Sequence, residues 1–126
     1  MRKIFALVTL VFLAACSVTQ GRFSWLDKSH RPLSKNMPIE VFLTGAPQRS
    51  FIKIARLDVH LEKTHFIGSS LKNGLPQLKE QARLAGADAI MDISERQSMI
   101  GETKIYHVTA TGIKYMDEQT QAKERQ

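Results

Sequence analysis

Cysteine is almost missing from this chain: there is one, Cys16, in 126 residues. No internal disulfide is available, which excludes a disulfide-stapled secreted scaffold. Long apolar runs are missing too. The run Ile4–Leu13 (IFALVTLVFL) holds ten residues, interrupted by Thr9, whereas a spanning helix needs about 20. Basic residues are in excess, 18 against 12 acidic ones for a net charge of +6, but nowhere form a run of five or six. That scatter argues against a dedicated nucleic-acid surface. No HxxH, HExxH or GxSxG pattern occurs, so neither a helical zinc motif nor a nucleophile elbow is written in the chain.

The N-terminus has the pattern of an export signal. Arg2 and Lys3 form a short positive region, Ile4–Leu13 is too short to span and suits a signal core, and small residues follow. Leu13-Ala14-Ala15-Cys16 resembles the bacterial lipobox at every position. The resemblance implies that Cys16 sulfur accepts a diacylglycerol, that cleavage falls between Ala15 and Cys16, and that the new amino group is acylated. Two or three chains anchor stably where one is marginal. Ser17, in place of an Asp, implies sorting to the outer membrane of a Gram-negative envelope. Removal of residues 1–15 would leave a mature chain of charge +4, since Arg2 and Lys3 go with it.

Four segments are expected: a signal peptide over 1–15, a lipidated tether over 16–37, a small domain over 38–115 and a polar tail over 116–126. The tether shows no clear period and contains Gly21 and Pro32. As a flexible coil it would give the domain a reach of roughly 25 Å. Phe23, Trp25 and Leu26 are unusual for a spacer; they suit docking on the domain, or the membrane interface, and docking is the simpler choice.

Within the domain, Ile39–Leu43 reads as a strand ended by Gly45 and Pro47. Phe51–Leu61 reads as a longer strand whose apolar phase slips between Ile54 and Leu57, the sign of a bulge near residues 55–57. Leu71, Leu75, Leu78, Ala82 and Ala85 recur at steps of four and three, one stripe of a helix. Pro76 places its well-formed start near Asn73, and Gly86 is set to end it in the left-handed region. Ala89–Ser94 reads as a short central strand, Gly101 as a turn and Ile105–Tyr115 as the closing strand. The expected fold is α+β, in the order β-β-α-β-β, with one helix packed on a four-stranded sheet. The domain is near the lower size limit for a self-sufficient core, so docking of the tether or a homo-oligomer would add burial.

Leu84-Ala85-Gly86-Ala87-Asp88-Ala89-Ile90 and Val108-Thr109-Ala110-Thr111-Gly112-Ile113 resemble the small bacterial YbjQ/RcsF-like domains. That resemblance implies a helix, a GADA turn and a closing strand, and an envelope stress-sensing lipoprotein as the kind of protein that carries them. The GADA residues Gly86, Ala87, Asp88 and Ala89 read as a packing motif: a positive-φ stop, two small residues for close helix–sheet approach, and a carboxylate for backbone amides. The RcsF branch is stapled by disulfides, which a single cysteine cannot form.

Candidate chemistry is thin. His60, His65 and His107 are the residues that could meet as a metal site, and some relatives carry a loose metal-binding description. Surface or half-buried histidines are the ordinary alternative. Ser69, Ser70, Asp58 and His60 supply the residue types of a hydrolase without its motif. Asp88, Asp92 and Glu95 read as a cap and solvent-facing groups, and Asp58, Glu62 and Lys63 as a solvated face. No cofactor and no catalytic residue are expected. The partners expected are the membrane, through lipid on Cys16, and an envelope protein.

Overall fold

The computed structural model describes residues 18–64 and 70–116. Cys16, the expected signal segment, Ser69, His65 and the tail beyond Met116 lie outside the described residues. The elements are β1 (Val18–Trp25), β2 (Glu40–Val41), β3 (Phe51–Thr64), α1 (Leu71–Ala85), β4 (Ala89–Ile100) and β5 (Thr103–Tyr115). They form one five-stranded sheet in the order β1-β3-β5-β4-β2, with the helix on one face. The fold is α+β as expected, with five strands instead of four.

The additional strand is β1, drawn from the segment read as a tether. It pairs antiparallel with β3 over its whole length, from Val18 opposite Glu62 to Trp25 opposite Ala55. Phe23 packs on the core, and Trp25 donates its indole N–H to the Ala85 carbonyl at 3.1 Å. The two rings meet edge-to-face at 5.0 Å. The aromatic residues thus dock on the domain. Gly21 leaves room for the helix there: a Cβ would lie 2.7 Å from the Gln81 amide nitrogen, at the movable end of that side chain.

β3 and β5 are the central strands. Leu57, Val59 and Leu61 on β3, and Tyr106, Val108 and Ala110 on β5, are buried in one cluster with Leu78, Ala82 and Ala85 of the helix. The phase slip in β3 is a bulge between Lys53 and Ala55, which brings Ile54 into the same cluster as Leu57. β4 was expected to be central. It instead lies beside the edge, because only Ala89 and Ile90 are covered by β2, and the Ile39–Leu43 strand shrinks to two paired residues. β4 also runs on to Ile100 and forms a long hairpin with β5 across the Gly101–Glu102 turn.

The helix begins at Leu71, two residues before the expected start, with Pro76 inside it. Pro76 removes only the bond to the Lys72 carbonyl, and both residues are exposed, so water takes that bond over. The Ser70 N–H donates to Asn73 Oδ1 at 3.0 Å and closes the N-terminus. Gly74 lets the helix approach closely, since a Cβ there would be 3.0 Å from Val108 Cγ1. At the other end Gly86 has φ 85°, and the Ala87 N–H reaches back to the Ala82 carbonyl at 2.8 Å. Gly86 is thus the left-handed stop that was expected, and the bonds around it form a Schellman arrangement.

A smaller cluster occupies the opposite face at one end of the sheet. Ala89, Met91 and Ile113 are buried there beneath Phe42, Phe51 and Tyr115. Asp88 ties this end together: its Oδ2 accepts the Tyr115 backbone N–H at 2.8 Å. Among the described residues no helix covers the rest of that face, and its middle is polar, with Ile105 and Ile100 toward the hairpin end.

Candidate functional site

The open face is a direct product of strand alternation. With Leu57, Val59 and Leu61 turned to the helix, Asp58, His60 and Glu62 turn away from it. On β5 the same rule places His107 and Thr109 opposite Tyr106 and Val108, and on β1 it places Gln20 and Arg22 opposite Gly21 and Phe23. The register sets His60 directly across from His107, Asp58 across from Thr109, and Arg22 across from Asp58. A shallow groove of about 530 Å³ runs between β1 and this cluster, bounded by Gln20, Arg22, Asp58, His60 and His107 among others.

Each histidine is engaged by its own carboxylate. His107 Nε2 lies 2.5 Å from Asp58 Oδ1, and His60 Nε2 lies 2.8 Å from Glu62 Oε1. The imidazoles meet edge-to-face with centroids 5.8 Å apart. Arg22 Nη2 adds a looser ion pair to Asp58 Oδ2 at 3.6 Å, its own side chain mostly in water. The face is a chain of side-chain pairs across three strands, with Arg22 and His107 on Asp58 and His60 on Glu62.

Two of the three metal candidates, His60 and His107, are therefore neighbours, and His65 lies outside the described residues. Among the described residues no three His, Cys, Asp or Glu side chains are grouped to hold a metal ion. The Nε2 atoms are directed at separate carboxylates instead of at a common point. The hydrolase residues do not assemble. Asp58 pairs with His107, while Ser70 is at the helix N-terminus, bonded to Asn73.

The three later carboxylates go to three separate places. Asp88 holds the Tyr115 amide. Asp92, at φ 53° in the β4 bulge, forms a half-exposed ion pair with Lys53 at 3.2 Å. Glu95 accepts the Tyr106 hydroxyl at 2.5 Å on the helix-side face. Burial and that carboxylate push the Tyr106 phenol far above its ordinary value, so it stays a neutral donor that locks the hairpin to the core.

Arg22 is the member of the face that the sequence reading overlooked, because it fell in the presumed tether. A signal was present: Gln20, Arg22 and Ser24 alternate with Gly21, Phe23 and Trp25. No family model, no curated protein and no solved structure matches this chain.

Proposed function

We propose that this chain is a non-enzymatic lipoprotein of the bacterial envelope, anchored in the outer membrane through lipid on Cys16 and acting by protein–protein contact as a sensor or assembly accessory. The observation that carries the reading is Leu13-Ala14-Ala15-Cys16 at the end of a ten-residue apolar run with Arg2 and Lys3 before it. Among the described residues no helix is long and apolar enough to cross a membrane; the attachment in this reading is a lipid on Cys16. The reading also draws on the likeness of the GADA segment to the small YbjQ/RcsF-like domains, a segment that here forms a helix stop followed by a strand.

The contact surface in this reading is the open sheet face. Arg22, Asp58 and Glu62 offer charges of both signs, with the His60 and His107 imidazoles between them, on a rigid strand framework, which suits selective docking of a protein. The cross-strand pair His60 and His107 also favours a second reading, a periplasmic metal-binding domain. Calorimetric titration of the mature protein with zinc and copper separates the two: heat that disappears on joint replacement of both histidines by Gln supports the metal, and its absence from the wild type supports contact.

The anchor is tested by Cys16→Ser. The expected result is loss of palmitate incorporation to background and movement of the protein from the membrane to the soluble fraction. Unchanged membrane association would contradict the proposal.

A further inference from the structure

The hairpin tip and the start of β1 lie at the same end of the sheet. The ladder places Val18, Glu62, Ile105 and Ser98 in one rank across four strands. The next rank outward holds Lys63, Lys104 and Met99, and the last holds Thr64, Thr103 and Ile100. Ile100 is thus two residues beyond the Val18 rank, or about 7 Å at the rise of a strand. Cys16 is also two residues from Val18, and two residues of extended chain cover the same 7 Å. A lipid on Cys16 is thus tethered to Val18 by a length of chain that can reach the level of the tip.

What the tip displays fits that position. Ile100 is 70% exposed and Met99 52% exposed, and they are adjacent. The other exposed large apolar residues, Trp25, Leu26, Met37, Leu43 and Leu84, lie away from this end, in loops or at the far ends of β1 and the helix. Lys63 and Lys104 stand in the rank of Met99, one behind Ile100, with long stems and ammonium groups suited to lipid phosphates. The acid in the turn is Glu102, beside Gly101 at the apex.

We propose that the β4–β5 turn, led by Met99 and Ile100, is a membrane-contacting tip that enters the headgroup region of the bilayer holding the Cys16 lipid. The inference rests on the lipidation proposed above and adds an orientation to it. The sheet stands with its strands steep to the membrane, and the GADA end, with Phe51 and Tyr115, points away from it. Lipid and tip form two points of attachment, so the open face is held upright and displayed sideways instead of swinging on a long leash.

The test uses the full lipidated protein in vesicles of phosphatidylethanolamine and phosphatidylglycerol. With the Cys16 sulfur in a thioether, an introduced cysteine is the free thiol for an environment-sensitive fluorophore. Ile100→Cys places the probe at the tip. Ser50→Cys places it at the opposite end of β3, roughly 40 Å away along the strand. The expected result is blue-shifted emission at 100, quenched several-fold more by a lipid-borne quencher than at 50, with the reverse order for aqueous iodide. Met99→Glu in the Ile100→Cys protein should reduce the lipid quenching while leaving vesicle sedimentation unchanged. Equal iodide quenching at both positions, in a protein that sediments and carries lipid, would overturn the tip alone. A probe at 100 reached by neither quencher would also overturn it, by showing that protein, such as a second copy, covers the turn. A protein without lipid that does not sediment would overturn the anchor and the tip together.

Discussion

Deleting residues 18–25, with Ser17 joined directly to Leu26, should abolish cooperative unfolding of the domain. The segment is an edge strand with eight residues in register on β3, and its removal exposes the β3 backbone and one side of the core. Loss of Phe23 packing costs up to about 1.5–3 kcal/mol. Loss of the Trp25 indole bond to Ala85 costs about 1 kcal/mol more and frees the helix C-terminus that it clamps. Small domains are stable by an amount near the lower end of about 5–15 kcal/mol. Most of that margin would go, leaving a bare β3 edge able to pair with other copies. Thermal and urea melts followed by circular dichroism are the check. A melt within a few degrees of the intact protein would mean that residues 18–25 are a spacer after all.

Gly86→Ala should cost about 2–4 kcal/mol, and the reason can be divided experimentally. Gly45, Gly86 and Gly101 all have positive φ, at 72°, 85° and 61°. A Cβ on Gly45 or Gly101 would meet nothing within 4 Å, whereas on Gly86 it would be 2.6 Å from the Arg31 carbonyl oxygen and 3.0 Å from His30 Cβ. Gly45→Ala and Gly101→Ala therefore carry only the backbone strain, about 1 kcal/mol each. Gly86→Ala carries the strain and must also move the Arg31 backbone, which is held nearby by the Leu33 N–H bond to the Arg83 carbonyl at 2.8 Å. The midpoint of urea denaturation should shift two- to four-fold further for Gly86→Ala than for the other two. Equal shifts for all three would show that residues 30–31 do not pack against the helix stop.

Those residues also explain why part of the fold was legible in the sequence and part was not. The helix was visible because Leu71, Leu75, Leu78, Ala82 and Ala85 repeat on one stripe, and its end was visible because Gly86 follows the last of them. The β3 bulge was visible because a strand with period two cannot change phase without one. β1 was hidden because its core-facing row is Thr19, Gly21, Phe23 and Trp25, in which the first two positions carry little apolar surface. The size of Gly21 is set by Gln81 on a helix sixty residues away, a contact that no local pattern reports. The length of β4 was missed for a similar reason: from Glu95 to Ile100 every residue is exposed, and the strand persists because β5 pairs with it.

The open face was half legible. That Asp58, His60 and Glu62 share one side follows from alternation alone. That His60 stands opposite His107, and Asp58 beside both His107 and Arg22, depends on the registers of β1 and β5 against β3. Register is fixed by packing of the helix-side rows. The expectation of a flexible reach of some 20 residues changes with β1: the sheet starts at Val18, so Cys16 is separated from it by one residue, Ser17. An anchor on Cys16 would hold the domain close to the bilayer.

Everything about that placement depends on the state of Cys16, and its most direct measurement is the mass of the N-terminal peptide of the protein extracted from bacterial membranes. The account predicts a peptide that begins at Cys16 and carries the added mass of a thioether-linked diacylglycerol, with a further acyl chain on the amino group. A peptide that begins upstream of Cys16, or one whose Cys16 thiol is free to react with a maleimide, would contradict it.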